Sequence, residues 1–429
     1  MKIKQRIINR LIWASLFMVA VLLGSCSSKG PIGDNKSESS NTSGTIFVDN
    51  QISGSCKGNY SIANRDCSGN DGDAYPSINE GIQRLGTGNK IVIRGGTYVE
   101  WVKIERSGTL DAWLMIQAYP GETPIIDGGG SLPGSNSREG LVAISGKSYI
   151  HIDGLTIRNS KYYGFQSYQS SHIRMTNCTV SYTQDGGVIF NVGTDILIDS
   201  CEVHHTNQLG LDAYHEGISI RTITSFEVKN THIHHCGEEG IDAKVNSTQG
   251  SIHHCLTHDN RGPNIYVDQA NNIDIYDNIV YATTGPKPGI VLGIEHWGGY
   301  PYKTHHINLY NNLIYDNGGG ITFWVEDQVA SSAKYSDITI VNNLLYKNDR
   351  QNVGGFHNLA DCGNIDSNIV ISNNIFLDNK NGAITGKALD KFTIDHNLFD
   401  AADSAEHGNN AIVMTNLGVG VPGRQLSGQ

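Results

Sequence analysis

Positive charge is what this sequence most lacks. Of 429 residues only 31 are Lys or Arg, against 42 Asp or Glu, giving a net charge of −11. Binding a phosphate backbone needs clustered cations, so nucleic acid is excluded as a natural partner. A strongly polyanionic glycan is disfavoured as well, unless cations or a few local basic residues bridge it. Cys-x-x-Cys pairs are absent, which removes the usual zinc signature. The apolar run at residues 11–23 is 13 residues long, short of the ~20 that cross a bilayer. Proline is scarce, 10 residues beside 50 glycines. A chain of this length is long for one rounded core but natural for a solenoid, which grows along one axis.

The N-terminal run follows Lys2, Lys4, Arg6 and Arg10 and ends Leu23-Gly24-Ser25-Cys26. A positive head and a short apolar stretch make a secretion signal. The final tetrad resembles a bacterial lipobox. That resemblance implies a signal peptide over residues 1–25 and a lipid on Cys26, anchoring the protein in the outer membrane, at the cell surface or in the periplasm. Residues 26–44, rich in Ser, Asn and Gly, read as a flexible tether.

Repetition is what the chain has in abundance. An alternating apolar strand, Asn or Asn-Asn, then a short apolar run recurs as Ile-Asp-Ile-Tyr-Asp-Asn278, Ile-Asn-Leu-Tyr-Asn-Asn312, Ile-Thr-Ile-Val-Asn-Asn343 and Ile-Val-Ile-Ser-Asn-Asn374. Counted from Asn177 through Ser200, Asn230, His254 and Asn278 to Asn397, the steps run from 23 to 34 residues. Such a period signals a solenoid. The expected fold is all-β, a single-stranded right-handed parallel β-helix. A short helix around residues 76–86, with Ile78, Ile82 and Leu85 on one face, would cap its open end. Residues 45–140 form the cap and first rungs, 141–400 the regular β-helix, and 401–429 a C-terminal cap or tail. A monomer is expected.

Cys56 and Cys67 lie in a polar loop outside the repeat and are the best disulfide pair in an oxidising compartment. Cys178, Cys201 and Cys255 follow the Asn position. They share an inward column with Thr231, Ile279, Leu313, Leu344, Ile375 and Leu398, so they are small core residues first. The repeated asparagines read as turn residues that satisfy backbone groups. The doublets His204-His205, His234-His235 and His253-His254 read as turn or surface residues, without metal-ligand spacing.

A second set of strands carries the chemistry. Gly217-Ile-Ser-Ile-Arg221, Gly240-Ile-Asp-Ala-Lys244, Asn264-Ile-Tyr-Val-Asp268 and Gly289-Ile-Val-Leu-Gly293 alternate in and out. One outward column reads Asn191, Arg221, Lys244, Asp268, Gly293, Trp324. Its neighbour reads Ile189, Ser219, Asp242, Tyr266, Val291, Thr322. Glu295 and Glu326 extend two strands outward. Tyr266, Trp297, Tyr300 and Trp324 would serve as stacking platforms for sugar rings, and Gly293 would leave room for a ligand. The Asp212-Ala-Tyr214-His215-Glu216 turn and His296 would rim the groove.

Asp268 and Glu295 sit one rung apart and two residues offset, so their Cβ atoms should lie roughly 8 Å apart. Two carboxylates at such a spacing flank a glycosidic bond. Lys244 would keep Asp268 ionised as base or nucleophile, and Glu295 would donate the proton. The plainer alternative is a solvated ladder of Arg221, Lys244, Asp242 and Asp268.

With these residues in view, the chain resembles the pectate-lyase-like superfamily of right-handed parallel β-helix enzymes acting on polysaccharides, over about residues 45–399. The stretch Asp73-Ala-Tyr-Pro76 through Gly95-Gly-Thr-Tyr98 to Ile126-Asp-Gly128 looks like its cap and first rungs. Within it, Glu239-Gly-Ile-Asp242-Ala-Lys244 is similar to the Lys-base strand of chondroitinase B and alginate lyases, although Asp268 stands where those lyases have Arg. Asp268 and Glu295 match the arrangement in β-helix glycosidases. The resemblance therefore implies a glycoside hydrolase, which needs no cofactor. Its first alternative is a calcium-dependent lyase with Lys244 as base and calcium on Asp242 and Asp268. A non-catalytic glycan-binding solenoid is the second. Arg221, Tyr266, His215, His296, Trp297, Trp324 and Glu326 are the expected substrate contacts.

Overall fold

The computed structural model describes residues 44–86, 90–135, 137–209, 215–348, 354–379, 381–400 and 408–414. The signal peptide, Cys26, most of the tether, the Asp212-Ala-Tyr214 turn and most of the C-terminal tail lie outside them.

Every strand pairing between coils is parallel, and among the described residues two sheets of 22 and 13 strands run the length of the molecule. One coil shows the plan. Ile241–Lys244 and Thr248–His253 belong to the larger sheet and Leu256–His258 to the smaller. The chain then steps up to Ile265–Asp268, which pairs back on Ile241–Lys244. Alternation sends Ile218, Ile220, Ile241, Ala243, Ile265, Val267, Ile290 and Leu292 inward, all fully buried. Burying each large aliphatic side chain contributes about 1.5–3 kcal/mol. Stacking makes one apolar column continuous from coil to coil.

Glycine recurs just before these strands for a steric reason. A Cβ on Gly217 would stand 2.8 Å from Cys236 Sγ and 2.8 Å from the Gly240 carbonyl. The turn passes too close to the facing wall for any side chain.

The corner after the second strand is read one residue differently from the sequence expectation. Asn177, Ser200, Asn230, His254, Asp277, Asn311, Asn342, Asn373 and His396 all take left-handed φ, between 49° and 59°. The following residue points inward, so the column is Cys178, Cys201, Thr231, Cys255, Asn278, Asn312, Asn343, Asn374, Asn397. Ile279, Leu313 and Leu344 fall one place later, opposite Leu256. The amide fixes the frame. The Cys255 peptide N–H donates to Asn278 Oδ1 at 2.9 Å, and the Asn278 N–H donates to Asn312 Oδ1 at 3.1 Å. Asn278 Nδ2 also caps the Ile252 carbonyl at 2.9 Å. A second amide ladder, Asn317, Asn348 and Asn379, lines another corner.

At the N-terminal end the helix Ile78–Arg84 is capped by Ser77, whose Oγ accepts the Glu80 N–H. Its Ile78 and Ile82 join Val48 and Ile91 in the core cluster. Cys56 and Cys67 form a disulfide with Cα atoms 5.2 Å apart. Cys178 and Cys201 are unbridged. A short strand, Ile412–Met414, adds to Leu398–Asp400 at the other end.

The histidine doublets occupy two different corners. His254 is in the first corner, whereas His205 and His235 take left-handed φ at the corner after the smaller sheet. Burial pushes the His232 and His234 imidazoles down to about 4.

Candidate active site

The two outward columns have the expected register. Asn191 faces Arg221, Arg221 faces Lys244, Lys244 faces Asp268, Asp268 faces Gly293 and Gly293 faces Trp324. Ser219, Asp242, Tyr266, Val291 and Thr322 line up beside them.

Solvation is where expectation and structure part. Asp242, Lys244, Asp268 and Tyr266 are only 2, 6, 1 and 5% exposed. They make a buried polar network, not a solvated ladder, because side chains from adjacent turns close over them. Lys244 Nζ is bonded to Glu216 and lies 2.9 Å from Asp242 Oδ2. Burial alone would strip its proton, but these two carboxylates hold its pKa well above the usual lysine value. Burial would raise Glu216, and Lys244 and His215 outweigh it, leaving Glu216 low. Asp242 is raised by burial despite Lys244.

Lys244 therefore does not keep Asp268 ionised. Burial, then the charge of Glu295, push Asp268 up to about 7. Both Asp268 oxygens are engaged: Oδ1 accepts the Glu295 peptide N–H at 3.0 Å and Oδ2 the Trp297 Nε1–H at 2.7 Å. Its side chain anchors the loop that follows Ile294. Each oxygen is turned toward the protein's own loop, which disfavours Asp268 as nucleophile or base.

Gly293 leaves no ligand gap. A Cβ there would meet Tyr266 Oη at 2.2 Å. The Tyr266 ring lies across the glycine and its hydroxyl donates to Glu295 Oε1 at 2.8 Å. Tyr266 is thus a buried strut for Glu295 and not a stacking platform.

Trp297 is the aromatic wall. The Arg221 guanidinium is 5.2 Å from its ring centre and the Lys244 ammonium 5.9 Å, both within cation–π range. His215 meets Tyr163 edge-on at 4.9 Å, and burial lowers its pKa. His296 is exposed. Its peptide N–H donates to Glu326 Oε2 at 2.6 Å, so Glu326 latches the loop and His296 stands outside the buried cluster. Trp324 is half-buried beside Gly293 and Tyr300 half-buried in the loop.

Glu216, expected only on the groove rim, lies inside the buried network, and Glu239, given no role of its own in the sequence reading, adjoins it. Each directly precedes the strand glycine on adjacent rungs, Glu216-Gly217 and Glu239-Gly240. The neighbouring rungs carry Gly186, Pro263 and Pro288 there, so the signal was in the repeat alignment. Burial, then Glu216, push Glu239 up to about 7, and Glu295 adds to the rise.

Glu216 Oε2, Asp242 Oδ1, Ser219 Oγ, Arg221 Nε and His215 Nδ1 are buried without a hydrogen-bond partner among the described residues. Calcium takes six to eight oxygen ligands. The expected pair, Asp242 and Asp268, does not fit it. Each Asp268 oxygen already accepts an N–H from the loop, and the Lys244 ammonium stands between Asp242 and Glu216.

Two family profiles match: the right handed beta helix region over residues 163–328, and the Pel9A-like right handed beta helix region over residues 60–216. Together the two matches span residues 60–328, which are thus similar to right-handed parallel β-helix regions of known families. A curated relative, the uncharacterized protein YwoF of Bacillus subtilis (strain 168), is 25% identical over 310 residues. The chain spans 64% of that relative's length, with 64% of its own residues matched. The A-module of mannuronan C-5 epimerase AlgE6 from Azotobacter vinelandii shares the fold at a TM-score of 0.53 and 13% identity, covering 78% of this chain and 90% of the module. XylC, solved in complex with xylose, matches at a TM-score of 0.51 and 11% identity, over 86% of each chain.

Proposed function

We propose that this β-helix is an enzyme acting on a polysaccharide that carries uronate groups, and that it removes the proton next to the sugar carboxylate, leading to elimination or epimerisation. The observation that carries the reading is Arg221: a guanidinium with an unpartnered, buried Nε, braced on Trp297 and in register with Lys244. A carboxylate is the group a guanidinium fork binds best. It resolves the paradox of an acidic chain with a local basic spot.

In this reading Arg221 binds the uronate carboxylate and withdraws charge from it. Glu239, with a pKa of about 7, takes the proton, since a base poised near the working pH is the most effective. Lys244, charged and clamped, positions Glu216 and Asp242 and stabilises the developing enolate; its raised pKa disfavours it as the base. Fold likeness supplies only the scaffold, which hosts both a mannuronan epimerase module and a xylose complex. Lipid attachment at Cys26 belongs to the proposal on sequence grounds, and mass spectrometry of the mature N-terminus tests it.

The deciding experiment is a panel of uronate and neutral polysaccharides read two ways. Ultraviolet absorbance of a new conjugated double bond, or inversion seen by NMR of the product, supports the proposal. Reducing ends without either would instead establish hydrolysis, and no product on any glycan would leave a binding solenoid.

A further inference from the structure

The smaller sheet carries a second cluster, on a different wall from the Lys244 network of the larger sheet. Three consecutive strands, Glu202–His204, His232–His234 and Leu256–His258, put Glu202 beside His232, and His204, His234 and His258 in one column. Val203, Ile233 and Thr257 point inward and are fully buried, so the flanking side chains face out. Two imidazoles converge on one carboxylate oxygen: His234 Nε2 is 3.2 Å and His232 Nδ1 3.8 Å from Glu202 Oε1. One donor atom from each of the three lies within 4.8 Å of the others. Simple stacking does not produce this. The parallel column alone gives His204 over His234 at 5.0 Å, whereas His232 leans across to 4.2 Å from the His234 ring.

The surroundings are those of a ligand set. His258 Nδ1 lies 2.7 Å from Asp259 Oδ2, which places its proton on Nδ1. The Nε2 lone pair is then aimed at His232 Nε2, 2.8 Å away. A carboxylate that orients an imidazole is the usual outer support of a metal site.

We propose that Glu202, His232 and His234 bind one divalent transition cation of the zinc class, with His258 and Asp259 orienting His232. Two imidazoles and a carboxylate with open coordination positions suit zinc, nickel or copper; calcium would prefer oxygens alone. Bound there, the ion would pin successive coils together.

The test uses the full chain, stripped with chelator and dialysed, and titrated calorimetrically with Zn²⁺ alone. The expected result is one ion per chain at this site, unaffected by excess Ca²⁺, and a rise in melting temperature. His232→Asn with His234→Asn should weaken binding at least a hundredfold with unchanged circular dichroism, and Asp259→Asn about tenfold. Co²⁺ added to the stripped wild-type chain should give visible d–d absorption that Glu202→Gln diminishes, a reading that survives if the double variant misfolds. Absence of binding, or binding unchanged by these substitutions, overturns the proposal.

Discussion

Trp297 is tied to Asp268 by a 2.7 Å hydrogen bond from the indole N–H to Oδ2, while Oδ1 holds the Glu295 peptide N–H. One buried carboxylate thereby sets both the aromatic wall and the neighbouring acid. Asp268→Asn would present an NH2 to one of two N–H donors. We expect a loss of about 1–3 kcal/mol of stability, a shifted tryptophan emission as Trp297 moves, and reduced activity. A nucleophile would behave otherwise, with melting and fluorescence unchanged and only turnover lost.

Arg221→Lys keeps the charge and removes the fork. The loss of a hydrogen bond to a charged group, about 1.5–3 kcal/mol, corresponds to a roughly 10- to 150-fold fall in kcat/KM on a uronate substrate. Neutral oligosaccharides should bind the variant and the wild type alike. Steady-state kinetics on reduced and native uronate glycans would separate the two.

Glu239 must be ionised to accept a proton, so activity should rise with pH through about 7, and Glu239→Gln should abolish that limb. Stability moves the other way. A carboxyl raised above its ordinary 4.5 favours the folded chain fully below that value, and the contribution is lost as pH rises through about 7. The melting temperature of Glu239→Gln relative to wild type should therefore climb between pH 4.5 and 7. A flat difference would contradict the assignment.

Gly293→Ala puts a methyl group 2.2 Å from Tyr266 Oη. The ring is buried and must swing away, breaking its bond to Glu295. Overpacking of this kind costs about 1–3 kcal/mol, and Tyr266→Leu in the same chain should recover part of it. Denaturant unfolding of the single and double variants measures the coupling.

Asn312 Nδ2 caps the Ile275 carbonyl at 2.9 Å and also reaches Asn343 Oδ1, while its own oxygen takes the Asn278 N–H. Asn312→Leu fills the space and leaves buried backbone groups unpaired. A loss of at least ~2 kcal/mol is expected. Cys255→Ala, in the same column but with a weaker donor, should be milder.

The outward columns were legible because alternation has a period of two and the glycines mark where each strand begins. Arg221, Lys244 and Asp268 fell in register for that reason. The corner frame was not, since Asp277-Asn278 offers two residues that tolerate left-handed φ, and only the Asn278 amide bonds decide between them. Burial was not legible either. Nothing in the spacing says that Tyr266 folds across Gly293 or that the loop bearing Trp297 returns onto Asp268. Glu216 and Glu239 lie before the strand glycines, in a corner where alternation no longer tells which way a side chain turns.

The inner lining changes material at the coils that carry the chemistry. Before it stand thiols and a hydroxyl at Cys178, Cys201, Thr231 and Cys255; after it, carboxamides run unbroken from Asn278 to Asn397. Carboxamides grip the next rung with two atoms, and thiols do not. Amide protons beyond residue 278 should consequently exchange as one cooperative block, and those before it in smaller openings. The site thus straddles a rigid and a compliant length of rod, and any give on meeting a ligand falls on the flank of Glu216 and Arg221.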